Sequence, residues 1–318
     1  KAPFITTWKP TNANEWIILP TTGNGGNGGN DYDFTVDWGE NSTPTTYQGS
    51  GDGQQSHIYD TPGTYTISIT GNFPRIYFND GGDKDKIQTV EQWGDIDWES
   101  MERAFYGCSN LQITATDTPN LSNVISMESM FRNASSFNAD INNWSVGNVE
   151  NMANMFRDAS SFNKDINNWN VGNVGRMDGM FWGATAFNQD IGGWNVESVT
   201  TMTTMFQSAT SFNGNIGEWG EKTSLVEDME FMFNYAIKFN RNIGGWNVSS
   251  VENMKAMFQG AADFDQDISS WVVSNVEDMQ YMFLGARDFN QDIGSWDVSK
   301  VTNMTRMFRF ATSFNGNI

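Results

Sequence analysis

Methionine recurs every 25 residues across much of this chain, at Met127, Met152, Met177 and Met202 and then, after one 27-residue step, at Met229, Met254, Met279 and Met304. That period constrains the fold more than any other feature. A unit so short cannot cover its own apolar face and must bury it against copies of itself on either side. Whatever else the chain does, it has to stack.

Taking Met152 as the first position, a unit reads Met152, Met155, Phe156, Ala159, Phe162, Asn163, Asp165, Ile166, Trp169, Val171 and Val174 before Met177 opens the next. Val149, Met152, Met155, Phe156 and Ala159 fall at helical spacing, which predicts a short amphipathic helix of about three turns. Asn123, Asn148, Asn173 and Asn275, with Ser198 and Ser250, precede the stripe and are expected to cap that helix, whereas Leu225 and Lys300 break the cap. Glu150, Glu252, Glu277 and Asp278 would then lie at the positive end of the helix dipole. Gly, Asn and Ser interrupt the stretch from Phe162 to Val171, which reads as a short extended segment between turns. The expected fold class is an α/β solenoid with one short strand and one short helix per 25-residue coil. Nine Met-anchored units from Met101 to Met304 would extend a strand row by roughly 40 Å.

Stacking turns repeated residues into columns. The Trp column runs from Trp144 to Trp296 and a Phe column from Phe137 to Phe314; both share a frame with Ile166 and Val171 and are expected to stack inward rather than to bind sugar. Asn138, Asn163, Asn188, Asn213, Asn240, Asn290 and Asn315, with Asp265, form a column suited to pairing buried backbone. Asp140, Asp165, Asp190, Asp267 and Asp292 form a fourth, completed by Asn215, Asn242 and Asn317. Carboxylates at strand spacing repel unless compensated. Three sources of compensation are open: adjacent backbone N–H groups, Ca²⁺ as a hard cation for oxygen ligands, or a basic partner. One slot varies freely, holding Ala139, Lys164, Gln189, Gly214, Arg241, Gln266 and Gln291. Lys164, Gln189, Arg241, Gln266 and Gln291, with the Asp column, are the candidate binding residues, because variable side chains on a rigid row are what a stack offers for recognition.

Charge narrows the partners. With 38 acidic against 18 basic side chains the formal charge is −20, which disfavours nucleic acid and anionic membranes. No apolar run is long enough to insert in a bilayer, and Lys1-Ala2-Pro3-Phe4 lacks the features of a signal peptide. Cys108 occupies the slot of a repeat Ala, which suits a small buried thiol, and the single histidine, His57, removes the usual zinc clusters.

The ends differ from the middle. Residues 72–100, including Phe73-Pro74-Arg75-Ile76-Tyr77-Phe78 and Lys86-Ile87-Gln88-Thr89-Val90, are expected to hold the capping strands and the start of the first coil, ahead of an array that spans 101–318. The loop between them carries Asp80, Asp83 and Asp85, a candidate Ca²⁺ ligand set without the EF-hand spacing. Ile318 falls midway through a unit, from which the natural protein is expected to continue. Residues 1–71 lack the repeat; Tyr32-Asp33-Phe34-Thr35-Val36-Asp37-Trp38 and Tyr65-Thr66-Ile67-Ser68-Ile69 alternate as strands do, predicting a small all-β sandwich.

Val36-Asp37-Trp38-Gly39, His57-Ile58-Tyr59 and Pro62-Gly63-Thr64-Tyr65-Thr66-Ile67 resemble the polycystic-kidney-disease (PKD) repeat, an immunoglobulin-like extracellular module, although Glu40-Asn41 departs from its usual Asp-Gly. The array motif Met-x-x-Met-Phe-x-x-Ala-x-x-Phe-Asn-x-Asp-Ile-x-x-Trp-x-Val resembles BspA-like leucine-rich-repeat surface proteins of the mycoplasma-lipoprotein type, over roughly residues 73 to 318. Ala104-Phe105-Tyr106-Gly107-Cys108-Ser109-Asn110-Leu111 is similar to the wider BspA-like core. These resemblances imply a leucine-rich-repeat-like solenoid behind an immunoglobulin-like module, an extracellular or cell-surface location and an adhesive role. The expected function is an adhesin or recognition module for a protein or glycan on another cell or matrix. A structural spacer or stalk is the alternative, and a carboxylate-based glycosidase a distant third; a non-enzyme is expected.

Overall fold

The computed structural model describes residues 1–22, 32–40, 42–49 and 55–318; Asn41 lies outside them. At the N-terminal end alternation produces strands as expected. In β3 (Tyr32–Asp37) Tyr32, Phe34 and Val36 are buried while Asp33 and Asp37 face out, and in β6 (Tyr65–Asn72) Ile67 and Ile69 are buried. With β1 (Phe4–Trp8), β4 (Thr45–Gly49), β7 (Ile87–Gln92) and β8 (Gln112–Ile113) they form one sheet in the order β4-β3-β6-β1-β7-β8. Only the β7–β8 pair is parallel. A second sheet pairs β2 (Glu15–Ile18) with β5 (Ser56–Tyr59).

The expected immunoglobulin-like sandwich is therefore not a separate two-sheet body. Its large sheet is mixed and six-stranded, and borrows β7 from the capping segment and β8 from the first unit. The motif residues explain themselves locally. Tyr59 OH donates to the Trp38 carbonyl at 2.9 Å, Trp38 Nε1 donates to Thr45 Oγ1 at 3.1 Å, and a Cβ at Gly39 would overlap the Thr66 carbonyl.

The α/β solenoid is contradicted more sharply. Among the described residues no unit contains an α-helix; the one helical element is a 3₁₀ stretch, Gly217–Thr223. The reason lies in the second and sixth positions after each methionine, which take left-handed φ. Asn154 has φ 55° and Asp158 57°, Gly179 62° and Gly183 70°, Thr204 58° and Ser208 56°. At the sixth position Asn, Asp and Gly predominate, tolerate that conformation and are poor helix formers, which favours a turn there over a helix, whereas the second position also takes Thr204, Phe231, Ala256 and Tyr281.

Hydrogen bonding follows from the turns. The N–H groups of Met155, Arg157 and Ala159 donate three residues back, at 3.2, 3.1 and 3.0 Å, as in successive tight turns. The intervening N–H groups of Met152, Asn154, Phe156 and Asp158 point at the next unit and donate to the carbonyls of Arg176, Asp178, Met180 and Trp182, at 3.0, 2.9, 2.9 and 2.7 Å. A helix would have spent both sets on itself. Four-residue turns put the apolar side chains on one face as a 3.6-residue helix does, which is why the spacing misled.

No strand forms over the expected segment from Phe162 to Val171; the bridges between units fall instead on the residue before each methionine. Ser126, Asn151, Arg176, Thr201, Asp228, Asn253, Asp278 and Asn303 form a chain of isolated parallel bridges. Nor do the predicted caps cap a helix: Asn148, Asn173 and Asn275 donate Nδ2 to Ser122, Gly147 and Ser249 carbonyls of the preceding unit at 2.8, 2.7 and 2.7 Å. Ser198 and Ser250 hydroxyls do the same toward Gly172 and Ser224. Glu150, Glu252 and Glu277 sit exposed beside the bridge row, with no helix dipole to oppose.

The core runs the length of the stack. Phe156 and Phe162 lie 4.1 Å apart at an interplanar angle of 2°, and each stacks on its counterpart in the next unit at 5.7 and 5.9 Å. From Trp169 onward each indole N–H of the Trp column donates backward, Trp194 Nε1 to the Ile166 carbonyl at 3.0 Å. The 27-residue step is absorbed by the 3₁₀ stretch, where the single Thr223 hydroxyl proton is shared between the Gly220 and Asn247 carbonyls, each 2.9 Å from Oγ1, and Trp219 stays stacked on Trp246 at 5.5 Å. Cys108 is fully buried, and burial pushes its thiol pKa well up.

Candidate functional site

The Asp column is exposed and locally satisfied. Asp140 accepts the Asn142 N–H at 3.1 Å and Asp165 the Asn167 N–H at 2.8 Å, the turn geometry that Asp side chains favour. Asp190 instead reaches forward to the Asn215 N–H at 2.6 Å. The Ser269 hydroxyl and N–H, at 2.6 and 2.9 Å, hold the Asp267 carboxyl below its ordinary pKa; the Gly294 N–H and the Asn317 amide do so for Asp292. Backbone N–H groups therefore reach each of these carboxylates, joined by the Ser269 hydroxyl at Asp267 and the Asn317 amide at Asp292.

The variable slot is less free than its variation suggests. Gln189, Gln266 and Gln291 reach back to the side chain of the Asn column at 2.9, 2.8 and 2.7 Å, and Arg241 Nε donates to the Asn213 carbonyl at 2.6 Å. Lys164 is half-buried in the same row. The column they hold is itself a ladder: Asn163, Asn188 and Asn213 each donate a backbone N–H to Oδ1 of the residue one unit back, at 3.0, 2.9 and 2.7 Å.

In the acidic loop lysines answer the carboxylates. Asp83 Oδ1 meets Lys86 Nζ at 2.7 Å while its Oδ2 accepts the Ile18 N–H at 2.7 Å; Asp80 and Asp85 flank Lys84 at 3.8 and 3.2 Å. Burial opposes the charge on Lys86, but hydrogen bonds to Asp83 and Glu15 outweigh it and raise the pKa. Asp83 thus ties β2 to the capping segment, while Asp80 and Asp85 pair with Lys84 inside the loop. Among the described residues no three His, Cys, Asp or Glu converge as a metal site, and no helix is long and apolar enough to cross a membrane.

The structure draws attention elsewhere, to the sixth position after methionine. Early units place Asn133, Asp158, Gly183 and Ser208 there, all of which suit left-handed φ or tolerate it. Then come Tyr235 at φ 54°, Gly260, Gly285, and Phe310 at φ 64°. A bulky residue in this conformation costs roughly 1–2 kcal/mol, and Tyr235, inside the array, is 50% exposed. The Tyr235 ring lies flat against Gly260, whose Cβ, if present, would come within 2.6 Å of it. Nothing but Gly260 lies within 4 Å of a Cβ at Gly285.

Two aromatic walls separated by two glycines make a groove of about 480 Å³, edged by Ile237, Ala262 and Leu284 and by two cations, Arg287 and Arg309. Arg309 covers the Phe310 ring at 4.6 Å. Among the described residues neither arginine makes an ion pair. Chemically the groove can stack a flat apolar face and take a hydrogen-bond acceptor at its edge. None of the residues singled out from the sequence lines it. The available signal was the loss of Asn, Asp and Gly from one slot of the repeat, visible only once that slot is known to be left-handed.

A sheet that feeds a stack of turn-built 25-residue units, each tied to the next by backbone and side-chain ladders, defines a repeat protein whose scaffold is uniform and whose exposed slots are not. The family described as Mycoplasma protein of unknown function, DUF285, matches residues 99–219 and again 220–318, and the chain belongs to it. The two matches meet inside the 3₁₀ stretch. Comparison with curated proteins and with solved structures gives no match.

Proposed function

We propose that this chain is an extracellular, cell-surface adhesin or recognition module that binds a protein or glycan through the groove over Gly260 and Gly285. The observation that carries this reading is Tyr235, an exposed aromatic kept in left-handed backbone where neighbouring units use Ser208 and Gly260, facing Phe310 across the groove. Strain and exposure both oppose stability, and side chains held against both point to a use. The BspA-like motif of the array and the PKD-like motif around Trp38 support a surface location and an adhesive role. The ladders between units favour recognition too, since a stiff scaffold presents its exposed side chains at low entropic cost.

The test is binding of the labelled chain to arrays of glycans and of extracellular-matrix proteins, beside a Tyr235→Asn, Phe310→Asn double variant. Selective binding by the original chain and its loss, about tenfold or more, in the double variant is the expected result. No binding on either array, or equal binding by the variant, would overturn the reading and favour a spacer.

A further inference from the structure

A second departure from the repeat lies one position earlier, in units far from the groove. The fifth position after methionine holds Tyr106, Arg132, Arg157 and Trp182 in four consecutive units. The Arg132 guanidinium sits over the Tyr106 ring at 4.9 Å and the Arg157 guanidinium over the Trp182 ring at 3.5 Å. Two cations are thus adjacent, with an aromatic ring at each end of the run.

The fold does not require this arrangement. Later units fill the slot with Gln207, Asn234, Gln259, Leu284 and Arg309, and a ring would have separated the two cations had the four alternated. Like charges in facing positions are destabilising. Burial, and then the charge of Arg132, lower the Arg157 pKa. One carboxylate, Asp158, lies 3.4 Å from Arg157 Nε, against two guanidiniums. The Nε–H of Arg132 is buried without an acceptor, that of Arg157 has only the Asp158 carboxylate at 3.4 Å and poorly aligned, and the terminal amino groups of both make no protein hydrogen bond among the described residues. The Arg157 side chain is nevertheless 23% exposed, so solvent reaches it.

We propose that Arg132 and Arg157 form a recognition site for a sulfate or phosphate group, which accepts hydrogen bonds from both guanidiniums and neutralises the excess charge. The rings of Tyr106 and Trp182 fix the guanidinium planes in advance, so little side-chain entropy is lost on binding. A tetrahedral oxyanion has enough acceptor oxygens to satisfy two adjacent forks. The site stands on its own residues and does not depend on the groove.

The test follows the arginine Nε–H resonances of the whole chain by NMR during titration with inorganic sulfate, inorganic phosphate, and a sulfated oligosaccharide beside its desulfated form, at constant ionic strength set with chloride. Saturable shifts confined to Arg132 and Arg157, with Arg103 and Arg287 unmoved, are expected. Preference for the sulfated saccharide over inorganic sulfate would place the group on a glycan, and the reverse preference would make the free ion the ligand. Arg157→Lys keeps the charge but loses the fork, and should weaken binding about tenfold. Uniform, non-saturating drift of all arginine signals, or undiminished affinity in Arg157→Lys, would overturn the proposal.

Discussion

Replacing Gly183 by alanine distinguishes a stack of turns from a stack of helices by the sign of its effect. In a helix interior Gly→Ala stabilises by about 1 kcal/mol. Here Gly183 has φ 70°, and a Cβ would overlap Asp158 Oδ1 of the preceding unit. The left-handed conformation costs an alanine roughly 1–2 kcal/mol. Asp158 must also swing away from its place 3.4 Å from Arg157 Nε, worth no more than about 1 kcal/mol at a surface. Reduced freedom of the unfolded chain returns about 0.4–1 kcal/mol. The net expectation is destabilisation by about 1 kcal/mol. Gly175→Ala is the control: its φ is not left-handed and the nearest atom to a Cβ is the Ser198 carbonyl at 3.7 Å, so only the unfolded-state gain applies. Urea denaturation followed by tryptophan fluorescence should lower the midpoint for Gly183→Ala and leave or raise it for Gly175→Ala. A raised midpoint for Gly183→Ala would refute the turn architecture.

Three further outcomes are expected. Asn188→Ala removes the oxygen that accepts the Asn213 N–H at 2.7 Å and should destabilise by about 1 kcal/mol, whereas Asn188→Asp should be tolerated because Asp265 already fills the column and accepts the Asn290 N–H at 2.9 Å; both are read from urea midpoints. The Glu15 carboxyl, held down chiefly by the Asn12 N–H and also by Lys86 and Thr11, has its pKa lowered from 4.5 to about 2. A depressed carboxyl stabilises above its unfolded pKa and loses that contribution as pH falls through the folded one, so stability should decline from about pH 4.5 to about pH 2. Glu15→Gln should flatten that stretch of the curve. Because the Asp column is satisfied by its own turns, the melting temperature should be the same in chelator and in millimolar Ca²⁺; a rise with Ca²⁺ would reassign the column.

The stack was legible because a 25-residue unit with buried Phe, Trp, Ile and Val has no other way to cover them. The columns were legible for the same reason: Phe162 and Trp169 recur in frame, and stacking brings each onto its own kind. Local conformation was not. Val149, Met152, Met155, Phe156 and Ala159 satisfy a helical period, but Asn154 and Asp158 between them take left-handed φ, and a periodicity of apolar residues carries no information about φ. The N-terminal strands were readable from alternation in Tyr32–Asp37, while the pairing of β1 with β7 and of β7 with β8 joins segments distant in sequence that no local pattern connects. The groove was hidden for a related reason. Tyr235 and Phe310 look like ordinary surface variation until the backbone beneath them is seen to favour glycine or asparagine.

The most direct test of the functional account is therefore a paired measurement on Tyr235→Asn, alone, of stability and of binding to whatever the arrays identify. Asparagine suits φ 54° and gives up a ring that is half exposed, so stability should stay within about 1 kcal/mol of the original. Binding should fall about tenfold or more. Binding that survives the substitution, at unchanged stability, would contradict the claim that the strained aromatic is kept for recognition.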